Sequence, residues 1–487
     1  MSKVSQLYSH SLALLTDLYQ LTMAYGYWKS GSASKEAVFH LFYRKNPFEG
    51  GYAVAAGLQL VVEALSDFRF GDDDIDYLSR LTGNDNKRLF ERAFLDELRE
   101  MEFCCDIDAV PEGTVVFPFE PMVRVRGPII QCQLLETFLL NVVNFQTLIA
   151  TKAARISQAA GEDPVLEFGL RRAQGIDGGV SASRAAYIGG CAATSNVLAG
   201  KLFDIPVRGT HAHSWIMSFE DEQEAFEVYA DVMPNNCVFL VDTYDTVEGV
   251  RKAISVGTRL RERGYEMVGI RLDSGDLAWL SQQARTLLDE AGFPAATIVA
   301  SNDLDETLIE SLRHQGAQIS VWGVGTKLAT GFDQPALGGV YKLSAVREPG
   351  GDWEPRIKLS EQAVKVSNPG TLQVRRFHND NGLVADVIFD EHLGITDAGR
   401  MVDPMDPARH RALPVERFED LLKPVFRDGS QVYALPSIHA IRSRAQAQLA
   451  SCHQGIRRLV NPHRYPVGLE ARLHEWKTRL IQKARGQ

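Results

Sequence analysis

Cysteine is scarce in this chain, with six residues among 487, at positions 104, 105, 132, 191, 237 and 452. Their spacing forms no metal-ligand pattern, and so few thiols over such a length cannot make a disulfide scaffold. A reducing, cytoplasmic setting is the default expectation. Basic charge is also in short supply: 52 Lys and Arg stand against 62 Asp and Glu, a net charge of −10. That balance gives no global electrostatic case for nucleic acid or an anionic membrane as partner. Only the last 37 residues reverse the sign, with eight Lys or Arg against Glu470 and Glu475. A secretory signal is not expected, because Met1-Ser-Lys-Val lacks a basic run and the apolar cluster at 12–15 runs into Asp17. Long apolar runs are missing as well. The longest uncharged stretches, 137–151 and 185–200, fall short of a bilayer span and contain Asn, Gln, Ser, Thr or Gly.

What is present is ordinary for a protein with a large core: 45% apolar and 23% charged residues. Collagen-like and disordered chains are excluded, and the length suits two or three domains. Between about 165 and 330, apolar β-rich runs alternate with amphipathic helical runs, the pattern of a parallel sheet. Strands are expected at 237–241 (CVFLV), 267–270 (MVGI), 296–300 (ATIVA) and 319–322 (ISVW). Helices are expected at 245–263, 276–290 and 304–315, stopping at Gly264, near Gly292 and at Gly316. Asp245 with Glu248, and Asp303 with Glu306, read as acidic helix caps. Such a series implies an α/β layer architecture, either a barrel or an open sheet. Both place ligands beyond the carboxyl ends of the strands.

That rule makes the sequence a site map. Just beyond successive strands stand Asp242, then Arg271 and Asp273, then Ser301 and Asn302, then Gly323, Gly325 and Thr326. Upstream, 166–168 opens Gly169-Leu-Arg171-Arg172, and 206–208 opens Gly209-Thr210-His211-Ala-His213-Ser214. The flanks differ. Residues 107–130 read as strand, held to edges and turns by Pro118, Pro121 and Pro128. Residues 134–156 are apolar nearly all round and read as a buried helix. After about 345 the chain turns Gly-, Asp- and Pro-rich and then helical and basic. The expected division is an accessory α+β domain over 1–160, a core over 161–345, and a C-terminal segment with a basic tail over 346–487.

Each constellation has a bland reading beside its chemical one. The run ending at Asp242 resembles the apolar-run-then-acid pattern of phosphoribosyl-diphosphate sites, although a buried strand entering a helix cap explains that stretch alone more simply. In Arg271-Leu-Asp273-Ser-Gly275, alternation puts Arg271 and Asp273 on one side of the backbone. There they form either a structural ion pair or a carboxylate or phosphate fork beside a group for hydroxyls or a cation. Gly323-Val-Gly325-Thr326 and Ser301-Asn302 are turn chemistry taken singly, and a monophosphate pocket taken together. Phe168 is either core or a face for a flat ring. His211 and His213, read on one strand, would point the same way, as in barrel metal hydrolases. No later His or Lys completes such a set, and a His can instead be acid, base or nucleophile.

Nine segments in order narrow this field: TDLYQLTMAYGYW (16–28), FHLFYRKNPFEGGYAVAAGL (39–58), FGLRRAQG (168–175), SRAAYIGG (183–190), GTHAHSWIMSF (209–219), RLDSGD (271–276), GVGTKL (323–328), ALGGVYKL (336–343) and NPHRYPVGL (461–469). Together they resemble the nicotinate phosphoribosyltransferases, type II phosphoribosyltransferases. The resemblance implies an irregular α/β barrel with an accessory N-terminal domain, usually as a homodimer. It implies transfer of phosphoribosyl from 5-phosphoribosyl 1-diphosphate to nicotinate, coupled to ATP hydrolysis and classed with the ligases of NAD biosynthesis. By the same resemblance Arg271 and Thr210 hold the nicotinate carboxylate, Phe168 covers one ring face, and Tyr19, donated by a partner subunit, covers the other. Asp242 and Asp273 serve the ribose hydroxyls and Mg²⁺, while Ser301, Asn302, Gly325 and Thr326 take the 5′-phosphate and Arg171 reaches the anionic groups. Ser195 stands where nicotinamide-using relatives place an Asp, which favours the acid substrate. His213 is the expected phosphohistidine, with His211 the competing candidate. Two other classes stay open at this point: a barrel metal hydrolase built on His211 and His213, and a non-catalytic sensor of phosphoribosyl ligands.

Overall fold

The computed structural model describes residues 12–362, 365–395, 399–413 and 417–486. The opening residues 1–11, read above as lacking a leader, lie outside it. The chain forms two compact units: Met1–Thr147, Ala336–Ser437 and Ala447–Gln487 make one, and Leu148–Pro335 with Ile438–Gln446 make the other.

The first unit is built on two large sheets, beside a two-stranded one that pairs Ala53–Val54 with Val115–Val116. In the seven-stranded sheet Glu36–Phe42 pairs antiparallel with both Val340–Arg347 and Val123–Pro128. The expected strand region 107–130 resolves into Asp106–Ala109, Val115–Val116 and Val123–Pro128, with Pro128 at a strand end. The second sheet, six-stranded, centres on Gly382–Asp390, which pairs antiparallel with Leu372–Asn379 and parallel with Val467–Glu470. At its core the fully buried Arg376 forks onto Asp386, which also accepts the Tyr465 hydroxyl at 2.8 Å and lies beside the buried Glu120 carboxyl. Buried charge is tolerated there because each partner is satisfied by the other. The apolar stretch around 134–156 is helical as expected, over Glu136–Ala160. The helical run from Ile129 to Ala160 is the one described stretch long and apolar enough to cross a membrane, and 61% of its most apolar window is buried inside the protein.

The second unit carries a six-stranded parallel sheet. Its strands are β1 (Val165–Glu167), β2 (Ala193–Thr194), β3 (Val238–Leu240), β4 (Gly269–Leu272), β5 (Thr297–Ala300) and β6 (Val321–Val324). They lie in the order β2-β1-β6-β5-β4-β3, every neighbouring pair parallel. Beyond β2 a parallel bridge joins Thr194 to Val207. Among the described residues no backbone pairing links Val207 to β3, so the ladder is α/β and parallel but not closed.

Local chemistry explains these elements. The strands bury Phe239, Ile270, Ile298, Trp322 and Val324 completely or nearly so. Truncating Phe239 or Trp322 to Ala would cost about 3–5 kcal/mol. Helix Thr246–Glu262 lays Val250, Ala253, Val256 and Leu260 on the sheet and starts where the Asp245 carboxylate accepts the Glu248 N–H at 2.9 Å. It approaches β3 so closely that a Cβ at Gly249 would fall 2.1 Å from the Val241 carbonyl oxygen. Helix Leu277–Glu290 is capped by Asp276, and helix Glu306–His314 by Asp305 rather than by the expected Asp303. The reason is reach: Asp305 directly precedes the first turn and accepts from Leu308 N–H at 2.8 Å. Two strands run further than expected, β4 to Leu272 and β6 to Val324, because each keeps its ladder with a neighbour through Arg271 and Gly323.

Candidate functional site

The carboxyl ends of β3, β4 and β5 carry one connected set of polar side chains. Arg271, on β4, is at its centre. Its Nε donates to Ser301 Oγ at 2.8 Å, its Nη1 to Thr210 Oγ1 at 2.9 Å, and its Nη2 to Asp273 Oδ1 at 2.8 Å. Ser301 in turn donates its hydroxyl to the same Asp273 oxygen. Both charged side chains are mostly buried, so their attraction is less screened than at the surface. Burial alone would raise the Asp273 carboxyl, but the Ser301 hydroxyl and the Arg271 guanidinium outweigh it and hold the group below its usual range.

Asp242 stands two residues beyond β3 and is fully enclosed. Its Oδ2 accepts from the Asp273 backbone N–H at 2.8 Å and the Ser274 hydroxyl at 2.7 Å, while Oδ1 meets His213 Nε2 at 3.2 Å. Its two oxygens thus join three strand-end segments, leaving His213 with one ring nitrogen toward a carboxylate and a partly exposed side chain.

The two histidines do not lie together on one strand and differ in setting, which corrects the expectation of an HxH pair on one strand. His213 begins a helical turn, His213–Ile216. His211 is buried against Phe226 and Tyr229, and its Nε2 accepts the Leu240 N–H at 3.2 Å. Burial, supported by the nearby Arg271 and His213 charges, pushes its pKa down to about 4, so the ring is neutral at ordinary pH. Among the described residues no cluster of three or more His, Cys, Asp or Glu could hold a metal ion, and the His211 Nε2 lone pair is already taken by the Leu240 N–H, which weighs against the His211–His213 metal pair.

Phe168 lies just past β1, its N–H donating to Val324 O at 2.8 Å, and its ring sits 5.8 Å from the Arg271 guanidinium carbon. Glycine at 323 makes room for it: a Cβ there would meet two ring carbons at 2.8 Å. Asn302 follows β5 with a left-handed φ of 93°, and Gly325 precedes the turn Thr326–Ala329. These lie at the ends of adjacent strands. Ser195 is half-buried with its N–H on Glu167 O at 2.9 Å, and Arg171 is exposed on the turn Leu170–Arg172. Tyr19 belongs to the other unit, on helix Leu18–Lys29, with 47% of its surface exposed.

Several residues escape a reading of strand ends. Glu167, the last residue of β1 and almost wholly buried, accepts from the Gly169 N–H, from Ser183 Oγ at 2.8 Å and from Thr194 Oγ1 at 2.6 Å. It therefore ties the turn after Phe168 to the segment before Ser195. Lys327 pairs with Asp305 at 2.5 Å beneath the Gly325–Thr326 turn. In the first unit the motifs at 39–58 and 461–469 meet: Arg44, Lys45, His463 and Arg464 line one cleft of about 420 Å³.

The chain matches three family models in succession: the nicotinate phosphoribosyltransferase N-terminal domain over residues 14–144, the nicotinate phosphoribosyltransferase family over 165–350, and the C-terminal domain over 372–477. It is 44% identical to the nicotinate phosphoribosyltransferase of Bacillus subtilis, covering 97% of each chain. To that of Homo sapiens it is 36% identical, over 94% of this chain and 95% of the other. The crystal structure of human nicotinic acid phosphoribosyltransferase superimposes with a TM-score of 0.84 at 34% identity, over 96% of this chain and 99% of that one. A nicotinate-nucleotide pyrophosphorylase from Pyrococcus furiosus shares the fold at a TM-score of 0.68 and 21% identity.

Proposed function

The chain belongs to the nicotinate phosphoribosyltransferase family, and from that footing we propose how its own residues carry the reaction. The enzyme transfers phosphoribosyl from 5-phosphoribosyl 1-diphosphate to nicotinate, giving nicotinate mononucleotide for NAD biosynthesis. One observation carries the residue assignment: Arg271 is presented by Thr210, Ser301 and Asp273 directly beside the Phe168 ring. A guanidinium next to an aromatic face is what a flat ring bearing a carboxylate requires.

The pyridine nitrogen already holds a lone pair, so its attack on the ribose anomeric carbon needs no general base. The new N–C bond forms as the bond to diphosphate breaks. The protein's work is positioning and stabilisation of a cationic sugar and a departing anion. In this reading Arg271 and Thr210 hold the carboxylate, Phe168 stacks on the ring, and Ser195 leaves the carboxylate unrepelled. Asp242 and Asp273 face the ribose, and Ser301, Asn302, Gly325 and Thr326 receive the 5′-phosphate, with Arg171 free in solvent to reach the anionic groups. Asp273 Oδ2, without a hydrogen-bond partner among the described residues, and the neighbouring Asp242 suit a hard cation that shares its other ligands with substrate phosphate. Mg²⁺ bound there would neutralise charge on the diphosphate. The family couples transfer to ATP hydrolysis, and His213 is its proposed phosphoryl acceptor here, the exposed nitrogen-bearing group held by Asp242.

The parallel ladder of the second unit supports an irregular barrel whose last opening lies between Val207 and β3. Separate matches over 14–144, 165–350 and 372–477 support three successive segments in the chain. A homodimer with shared sites is supported by Tyr19, exposed together with Leu18 and Met23 on one helix. Six free cysteines support a reducing, cytoplasmic setting. The test is a parallel assay of nicotinate, nicotinamide and quinolinate, each with and without ATP. Nicotinate alone should turn over efficiently and ATP should raise that turnover; equal use of nicotinamide would overturn the Arg271 and Ser195 assignments.

A further inference from the structure

The opening between Val207 and β3 is spanned by side chains. On the β3 side, Val241 N–H bonds inward to Arg271 O on β4, which leaves the Leu240 N–H directed to the open edge. A sheet edge with an unpaired, buried donor is costly unless something accepts from it. His211 Nε2 accepts it at 3.2 Å. Two residues further along each segment, His213 Nε2 meets Asp242 Oδ1 at the same distance. Both contacts join positions 29 apart in sequence, so the stretch from His211 to His213 runs alongside the stretch from Leu240 to Asp242. The His211 imidazole stands where a backbone carbonyl would close a regular barrel.

The tautomer follows from the partners. A ring that accepts at Nε2 carries its proton on Nδ1, which points at the Ala212 carbonyl at 3.5 Å. Only the neutral ring makes both contacts, and its place between Tyr229, at 5.0 Å, and Phe226 favours that form. A nucleophile needs an exposed, unoccupied nitrogen, and His211 has neither.

We propose that His211 is a positioning residue for this transferase: its imidazole closes the seam by accepting from Leu240, and so fixes the distance at which His213 meets Asp242. The inference rests on the reading of His213 and Asp242 as working groups. Misplacing such a pair by about 1 Å costs on the order of 100-fold in turnover.

His211→Gln, whose amide oxygen falls near the Nε2 position, is compared with His211→Leu, which fills the space without an acceptor, and with His213→Asn. Amide hydrogen exchange at Leu240 reads the seam, and ATP-coupled turnover reads kcat and KM. His211→Leu should lose protection at Leu240 and lose kcat by roughly 10- to 100-fold, with a smaller effect on the KM for nicotinate because Arg271 stays held by Ser301 and Asp273. His211→Gln should restore protection and most of kcat. Wild-type kcat in an exchange-exposed leucine variant overturns the proposal, as does full protection in that variant, or a glutamine variant that is protected yet no more active than leucine. Should His211→Leu fail to fold, His211→Ser, too short to reach Leu240, takes its place with the same outcomes. An unimpaired His213→Asn would instead sink the parent reading, leaving the exchange result to stand on the seam alone.

Discussion

Removing Arg271 gives the sharpest test of the substrate assignment, because the two pyridines should respond differently. The side chain spends three donors on Ser301, Thr210 and Asp273, all between 2.8 and 2.9 Å, so its position is set before substrate arrives. In Arg271→Ala, nicotinate loses a charge-assisted partner for its carboxylate, worth about 1.5–3 kcal/mol or very roughly 10- to 150-fold in kcat/KM. Nicotinamide, with no charge to neutralise, loses about 0.5–1.5 kcal/mol. Discrimination between the two should therefore fall by roughly 1–1.5 kcal/mol, about 5- to 13-fold. The same change uncovers Asp273. Its carboxyl stabilises the fold above the ordinary value of 3.8 and loses that contribution as pH falls through its depressed folded value. Without the guanidinium, burial is opposed only by the Ser301 hydroxyl and the weaker influence of His213, the folded value rises, and the acid limb of the pH–rate profile moves to higher pH. Steady-state kinetics with both pyridines from pH 4 to 9 measure both effects. Equal losses for nicotinate and nicotinamide, with an unmoved acid limb, would refute the assignment.

His213→Asn should keep the fold and an ATP-independent transfer while losing ATP hydrolysis and the acid-labile phosphoryl label; continued hydrolysis in step with nucleotide formation would remove His213 from that role. Gly323→Ala drives a Cβ into two Phe168 ring carbons at 2.8 Å, so thermal melting should show a loss of about 1–3 kcal/mol and kinetics a raised KM for nicotinate. Mixing inactive Tyr19→Ala with inactive Asp273→Ala should restore some activity through mixed dimers, and no recovery despite demonstrated subunit exchange would refute shared sites.

The alternation of apolar and amphipathic runs made the parallel sheet legible, since β3 to β6 follow short continuous apolar runs and their helices follow amphipathic ones. Glycine stops at 264, 292 and 316 all carry positive φ at helix ends, where the sequence placed them. What failed was local. Asp303 and Asp305 are equivalent as letters, and only the start of the helix decides which carboxylate reaches the free N–H groups. Strand ends slipped by two residues at 270 and 322 because Arg271 and Gly323 do not look like strand interior, yet ladder partners hold them there, on both sides for Arg271 and on the β1 side for Gly323.

The same limit explains which parts of the site stayed hidden. A strand-end rule finds groups that project into the mouth of a sheet, and it reached Asp242, Arg271, Asp273 and Ser301, which the structure joins in one hydrogen-bonded set. It cannot find the layer beneath. Glu167 projects under the sheet end, and its value lies in accepting from Gly169, Ser183 and Thr194, three residues no spacing rule links. His211 shows the point most directly. With His213 it forms the motif His-Ala-His, and as letters the two are interchangeable. One turn of backbone separates their fates: His211 still runs along the seam and gives its nitrogen to Leu240, whereas His213 opens a helix and keeps its ring partly in solvent. Reactivity follows exposure and a free lone pair, and both are properties of where the strand ends rather than of the residue.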